Sequence, residues 1–222
     1  ICHFVDSLYF QSFDKTLSFT IAEEELKFYR VPIYGNEWDV NDDCIEVLFS
    51  LLSFETILTV WEGLLLEKKV FLLCSSKSAL LNVSMALISL IFPFRWMHVL
   101  VPILPEKLKV FIESPVPLLI GLNYSIDLND LPSDSLILNI ENNAFENYID
   151  KLPKLPPKLL ASMMKKLSKV KAKYDVDNPT DTLNKMSYLD EVFPSIDLEQ
   201  TNRIDTFEIR DIFYEFFVHM FK

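Results

Sequence analysis

Apolar and polar positions change in blocks after residue 43, and these blocks predict alternating helices and strands. Ser53 is a suitable N-cap, and the apolar positions after it recur at helical spacing: Ile57, Leu58, Trp61, Leu64 and Leu65. This pattern predicts a capped helix with one apolar face. The continuous apolar run 70–74 follows and has the length of a buried strand. A second helix is predicted from Ser75 to about Phe92, and it is apolar almost all round, so we expect neighbours on several sides.

The segment 93–122 is rich in proline, and the prolines mark the ends of its elements. Residues 97–103 read as the next strand, so strand, helix and strand form a βαβ unit with a predicted parallel pair. Pro105 begins a short helix, and its predicted inward face consists of Leu108, Phe111 and Ile112. A further strand is predicted at 118–122, where Gly121 would allow a close backbone approach.

The rest of the chain is divided by composition. Residues 1–33 suggest short strands and turns, 34–43 an acidic loop and 123–134 another loop, before a strand at 135–140. A proline-rich connector at 152–157 leads into a helix from about Lys158 to Lys173. We predict a central α/β domain over 1–173, a polar acidic linker over 174–206, and at 207–222 the first helix of a separate all-helical part, whose packing partners we expect elsewhere. The fold class is therefore α/β, with a mostly parallel sheet.

Glycine usage excludes several kinds of active site. Gly35, Gly63 and Gly121 are the only glycines among 222 residues, so GxGxxG, GxxxxGK[ST] and GxSxG cannot be written. The sequence therefore lacks the usual loops that hold a nucleotide phosphate or a serine nucleophile. We predict no cofactor and no catalytic residue.

Cysteines, histidines and net charge narrow the picture further. Three cysteines form no CxxC, and the three histidines are far apart, so we expect no metal site, buried thiols and a cytoplasmic protein. The net charge of −11 argues against nucleic-acid binding by the whole surface. The most apolar stretch, Ala79 to Phe92, is too short to span a bilayer. The chain starts with Ile1 and ends in a predicted helix, so we expect it to be part of a longer protein.

One predicted helix is strongly basic. Between Lys151 and Lys173 there are eight lysines and no acid, so the rest of the chain carries −11 − 8 = −19. Five lysines fall within about a third of the helix circumference: Lys158, Lys165, Lys166, Lys169 and Lys173. This face is a candidate contact for an anionic membrane surface or an acidic partner. The alternative is a core-packing helix with solvated lysines, and the wide apolar side favours it.

Three stretches resemble the DENN domain family. They are LFSLLSFETILTVWEGLLLEKKVFLLCSS (48–76), FPFRWMHVLVPILPEKLKVFIESPVPLLIGL (92–122), and LPSDSLILNIENN (131–143) with LPKLPPKLL (152–160). The strong resemblance runs from about Val47 to Leu160, and residues 1–33 match weakly. We find no counterpart of the family's upstream, longin-like part.

The resemblance implies a three-layer core in which helices cover both faces of a central sheet. It also implies a guanine-nucleotide exchange factor for Rab-type small GTPases in vesicle traffic, working at endomembranes through protein contacts and without covalent chemistry. An alternative is a non-catalytic DENN scaffold that binds a GTPase or an anionic membrane. A third reading, stimulation of GTP hydrolysis, needs an arginine finger, for which Arg30, Arg95, Arg203 and Arg210 are the available residues.

Candidate GTPase contacts come from two loops. The first is an acidic loop with an aromatic anchor: Trp38, Asp39, Asp42 and Asp43. The second follows a predicted strand end, where α/β sheets commonly bind ligands: Asn123, Tyr124 and Asp127. The alternative for both sets is a solvated loop.

Overall fold

The computed structural model describes residues 17–21, 24–28, 42–147, 155–173, 179–191 and 206–221. The chain divides into two compact units, residues 1–39 and residues 40–222. In the first unit, β1 (Leu17–Ile21) and β2 (Glu24–Phe28) form an antiparallel hairpin. This agrees with the short strands predicted for the start of the chain.

The second unit carries the helices and the larger sheet. Its described α-helices are α1 (Asp42–Leu51), α2 (Phe54–Leu65), α3 (Lys77–Ser89), α4 (Pro157–Lys173), α5 (Pro179–Glu191) and α6 (Thr206–Met220). Its described strands are β3 (Lys69–Leu73), β4 (Val99–Val101), β5 (Leu118–Leu122), β6 (Ser135–Asn139) and β7 (Ala144–Asn147). Two 3-10 segments span Glu106–Glu113 and Leu128–Asp130.

The five strands form one mixed sheet in the order β4-β5-β3-β6-β7. The neighbouring pairs among β3, β4, β5 and β6 are parallel, and β7 pairs antiparallel with β6. This confirms the predicted α/β class and mostly parallel sheet. The predicted direct pair between the strands at 70–74 and 97–103 is wrong, because β5 lies between them. β5 is buried at every position, whereas β4 is half-buried, so the more apolar strand takes the interior place.

The two faces of the sheet are covered by different kinds of structure. Val70 and Leu72 of β3 join the large core formed with the α-helices. Phe71, on the opposite face, joins a smaller core that is closed by Leu104, Ile112 and residues of the second predicted loop. Helical structure covers both faces, as the family resemblance implies, but the second cover is the 3-10 segment Glu106–Glu113 rather than an α-helix.

The predicted inward face of that segment is only partly correct. Ile112 is buried, whereas Leu108 and Phe111 are 43% and 50% exposed. A 3-10 helix has three residues per turn, and the backbone at Leu108 departs from helical geometry (φ −107°, ψ 22°), so the α-helical spacing on which the prediction rested does not apply. The outer surface of this layer therefore carries exposed apolar side chains beside charged ones.

Two local predictions are confirmed in detail. The Ser53 Oγ accepts a hydrogen bond from the Thr56 amide at 3.2 Å and caps α2. Gly121 lies where a Cβ atom would be 1.9 Å from the Pro102 carbonyl oxygen, so β5 and the chain after β4 approach more closely than a side chain permits.

Two helices were not anticipated from the sequence. α1 begins at Asp42, so the predicted loop 34–43 ends in a helix. α5 lies inside the predicted linker 174–206 and packs against α1 and α3. Its low overall hydrophobicity suggested a linker, but a few inward residues are enough to hold it: Met186 and Leu183 contact the large core, and Thr182 is buried.

The last helix has its partners within this chain, contrary to the prediction. α6 packs against α4, and three of its rings surround the fully buried indole of Trp61 at centroid distances of 5.1–5.4 Å: Phe213, Phe216 and Phe217. The Trp61 Nε1–H donates to the Leu90 carbonyl at 2.9 Å, at the end of α3. An isolated amphipathic pattern shows an apolar face but not what covers it, which is why the sequence suggested an absent partner.

Two further expectations concern thiols and membrane spans. Cys44 and Cys74 are buried, as predicted, and Cys2 lies outside the described residues. No single helix in the described part of the chain has the length and apolar character needed to cross a membrane. α1 and α2 have that length and apolar character only when taken together, and the pair is bent by 119°.

Candidate functional site

Three adjacent parallel strands end together at one edge of the sheet. Leu73, the last residue of β3, is in register with Leu122 of β5 and Asn139 of β6. The Cys74 amide donates to the Leu122 carbonyl at 3.2 Å, and the Ile140 amide donates to the Leu73 carbonyl at 2.9 Å. These bonds hold the segments after the strands side by side, at the edge where α/β sheets bind ligands.

A cavity of about 330 Å³ lies at this edge. Each strand end contributes a pair of residues to its lining: Cys74 and Ser75, Asn123 and Tyr124, Asn139 and Glu141. Leu73, Leu122 and Ile126 add apolar surface. The volume is at the lower end of the range for small-molecule sites.

Glu141 is the ionisable centre of the cavity. Its Oε1 accepts hydrogen bonds from the Ser75 hydroxyl at 2.6 Å and from the Ser75 amide at 2.7 Å. These bonds, the side-chain bond first, together with a weaker one from the Cys74 thiol, hold the pKa of Glu141 below its ordinary value of 4.5 against the opposing effect of burial. The carboxylate is therefore ionised at neutral pH.

This arrangement predicts a pH dependence of stability. A carboxylate whose pKa is lower in the folded than in the unfolded state stabilises the fold above its unfolded pKa, here about 4.5, and loses that effect as the pH falls through the folded pKa. Urea unfolding of Glu141→Gln should therefore show a shallower decline of the unfolding free energy between about pH 5 and about pH 3 than the unsubstituted protein. An identical decline in both proteins would contradict the role given to Ser75 and Glu141.

Tyr124 forms the wall between the cavity and the 3-10 segment. Burial, with a smaller contribution from the charge of Glu106, raises the pKa of its phenol above the ordinary 10.0. The Lys109 Nζ lies 5.8 Å from the ring centroid. The Tyr124 hydroxyl is buried without a hydrogen-bond partner among the described residues. Contacts of the ring, and not a hydrogen bond of the hydroxyl, therefore position this side chain.

A known protein family matches the part of the chain that contains β3 to β6 and the cavity. The model of the DENN (AEX-3) domain matches residues 6–143, which is more than half of the 222 residues. The chain belongs to the DENN domain family. The match includes β1 to β6 and every residue that lines the cavity, whereas α4, α5 and α6 follow it.

Individual DENN proteins are similar over the same part of the chain. Human (Homo sapiens) DENN domain-containing protein 1A is 30% identical over 125 residues, which are 55% of this chain and 12% of that protein. Human DENN domain-containing protein 2B is 30% identical over 141 residues, 62% of this chain and 12% of that protein. Human DENN domain-containing protein 2C is 36% identical over 121 residues, 53% of this chain and 13% of that protein. The matched region is thus about an eighth of these DENN relatives' length.

The candidate residues after β5 separate into two groups. Asn123 and Tyr124 line the cavity of the DENN sheet. The Asp127 carboxylate instead accepts bonds from the Asn129 amide at 2.9 Å and the Asn129 side chain at 2.8 Å, and it caps the 3-10 segment Leu128–Asp130. Asp127 thus has a local structural role beside the cavity.

The structure does not describe most of the acidic-loop candidates. Trp38 and Asp39 lie outside the described residues. Asp42 and Asp43 occupy the first turn of α1, where negative charge suits the helix dipole, and their side chains also lie outside the described part. As GTPase contacts in this DENN protein, all four residues stay predictions.

The lysines of α4 divide by exposure. Lys158, Lys165 and Lys169 are exposed, on a helix that buries Met163, Leu167 and Val170 in the core. Lys166 pairs with Glu215 of α6, and the backbone of Lys173 ends the helix while its side chain lies outside the described residues. The basic face is therefore the outer side of a core helix and follows the DENN match in the chain.

Among the cavity residues that sequence reasoning missed are Ser75, Asn139 and Glu141. The signal was available, because all three lie at the ends of strands that the apolar runs had predicted, and the strand-end rule applied after β5 holds equally after β3 and β6. What the sequence did not show was the register that makes these ends meet.

Two further kinds of candidate site are a metal site and an arginine finger. Within them, no three His, Cys, Asp or Glu side chains are grouped closely enough to hold a metal ion. Of the arginine-finger candidates, Arg210 is buried in α6 at 6% exposure, Arg95 is exposed, and Arg30 and Arg203 lie outside the described part of the chain.

Proposed function

We propose that the protein is part of a guanine-nucleotide exchange factor for Rab-type small GTPases, acting on the cytoplasmic side of endomembranes in vesicle traffic. The observation that carries the proposal is the DENN match across the central sheet, because exchange on Rab GTPases is the activity that this family implies. The relatives' full lengths exceed this chain several-fold, so the proposal concerns the whole protein.

The distribution of glycine supports a role that does not hold the nucleotide directly. Gly63 lies within α2 and Gly121 within β5, so neither is available for a phosphate-binding loop, and Gly35 is outside the described residues. An exchange factor needs no such loop, because the GTPase carries the nucleotide. The surface required is one that fits the nucleotide-free GTPase better than the loaded one.

Exchange of this kind is negative coupling between two ligands of the GTPase. The exchange protein and the nucleotide weaken each other's binding to the GTPase to the same extent. Accelerated release comes from the contacts that favour the nucleotide-free GTPase. A thousand- to hundred-thousandfold acceleration corresponds to about 4 to 7 kcal/mol of barrier lowering. Protein contacts alone can supply this amount.

Release of fluorescent GDP from a panel of Rab GTPases tests the proposal, with the full-length protein as the catalyst. We expect acceleration for at least one Rab, and a loss of about tenfold or more when Asn123→Arg places a bulky cation at the strand edge. Asn184→Arg is the matched control, because Asn184 is exposed on α5, away from the cavity lining. Absence of acceleration across the whole panel would refute the exchange proposal.

A second candidate function is a non-catalytic scaffold that binds an anionic membrane or a GTPase. The exposure of Lys158, Lys165 and Lys169 on one helix favours the membrane version. Each lysine near an anionic membrane surface contributes about 1 kcal/mol of attraction.

Liposome sedimentation distinguishes this candidate. Vesicles of phosphatidylserine and phosphatidylcholine should bind the protein, and the triple substitution of Lys158, Lys165 and Lys169 by Glu should abolish the binding, with an unchanged circular dichroism spectrum. In a matched pair, Lys165→Glu should weaken binding more than Lys107→Glu, since Lys107 is exposed on the 3-10 segment instead. Equal binding by the triple variant and the unsubstituted protein would exclude a lipid role for α4.

A further inference from the structure

Several hydrogen-bond donors around the cavity are already in use. The hydroxyl and the amide of Ser75 both donate to Glu141 Oε1, and the Cys74 thiol also donates to this carboxylate. The Asn139 side-chain amide donates to Glu146 at 3.2 Å. These bonds leave acceptor capacity, since a carboxylate offers about four lone-pair positions and a serine oxygen two.

Charge in the cavity has one sign. Among the described residues that line the cavity, Glu141 is the only one ionised at neutral pH, and its lowered pKa keeps it negative. The side-chain amide of Asn123 also lines the cavity and offers a carbonyl acceptor beside its N–H donors. A bound group that matches this lining is positively charged and carries several N–H donors, because charge-assisted bonds to carboxylates are the stronger kind.

The other part of the lining is aliphatic. Leu73, Leu122 and Ile126 border the cavity beside the polar strand ends. An aliphatic stem that leads to a charged head would cover these residues while its head reaches the acceptors, as the stems of lysine and arginine do on protein surfaces. The small volume limits the occupant to one such group.

We infer that the cavity at the carboxyl ends of β3, β5 and β6 binds an ammonium or guanidinium group on an aliphatic stem, with Glu141 as its counter-ion. The group comes either from a free amine or from a lysine or arginine side chain of a protein partner. The inference goes beyond exchange activity and does not depend on it, because binding to the cavity is measured without a GTPase.

Amide NMR titrations of the 222-residue chain test the inference with two probes. Agmatine presents the guanidinium head as a free amine, and blocked arginine (N-acetyl-arginine-N-methylamide) presents it from a peptide backbone. We expect saturable shifts confined to the residues around the strand ends, Ser75, Asn123 and Glu141 among them. Shifts with agmatine alone would assign the site to a free amine, and shifts with both probes would assign it to a protein side chain.

Glu141→Gln is the decisive variant, because glutamine keeps an acceptor for both Ser75 bonds while it removes the charge. We expect at least about tenfold weaker binding in this variant. Glu113→Gln removes the same charge from an exposed position on the 3-10 segment and should leave binding unchanged. No saturable shift with either probe, or equal losses in the two variants, would overturn the inference, since a protein of net charge −11 also attracts cations without a site.

Discussion

Gly121→Ala is expected to lower the free energy of unfolding by about 3 kcal/mol, at the upper end of the cost of overpacking a core. The added methyl group would stand 1.9 Å from the Pro102 carbonyl oxygen, and a backbone atom cannot move aside as a side-chain end can. The same chain region is fixed by the Leu104 amide, which donates to the Gly121 carbonyl at 2.8 Å. Urea unfolding followed by circular dichroism measures the change.

Gly63→Ala is the matched control for this substitution. Its Cβ would approach Leu136 Cδ2 at 3.2 Å, which is the flexible end of a side chain. Alanine also favours the helical backbone by about 1 kcal/mol over glycine, which offsets a small clash. We expect a change of less than about 1 kcal/mol in either direction. Equal losses for the two glycines would show that close packing at Pro102 is not the cause.

Trp61→Ala is expected to cost about 3 to 5 kcal/mol, the range for removing a large buried aromatic side chain. The indole is fully buried, contacts three rings of α6 and donates to the Leu90 carbonyl. Because these contacts join α6 to α2, the loss should fall first on α6. Hydrogen exchange read by mass spectrometry should show faster exchange in 206–220 than in the sheet.

Phe207→Ala provides the comparison on the same helix. Its side chain is 61% exposed, so the substitution should change stability far less than Trp61→Ala and leave the exchange of α6 nearly unaltered. Persistent protection of α6 in Trp61→Ala would mean that the pairing with α4, through Lys166 and Glu215 among others, is sufficient to hold it.

The elements that the sequence predicted well are those whose side chains report a local rule. Ser53 caps α2, and the apolar run 70–74 is a strand to within one residue, because capping and continuous apolarity are properties of neighbouring residues. The role of Gly121 was predicted in the same way, since glycine within an apolar strand indicates a close approach of another backbone segment.

Strand order and helix packing were not predictable in this way. Nothing local to residues 97–103 shows that β5 will displace β4 to the edge, and nothing local to α6 shows that Trp61 will cover its aromatic side. The cavity shares this difficulty, because it exists only through the register of β3, β5 and β6. Asn123 and Tyr124 were predicted because they follow the end of one strand, whereas Glu141 was not predicted.

The central position of β3 also determines when the sheet can assemble during translation. Both strands that flank it, β5 and β6, come later in the sequence, so β3 leaves the ribosome before either neighbour exists. The two backbone edges of β3 cannot both be paired until residue 139 has emerged. Ribosome stalling placed before that residue would therefore yield a nascent chain whose sheet cannot close.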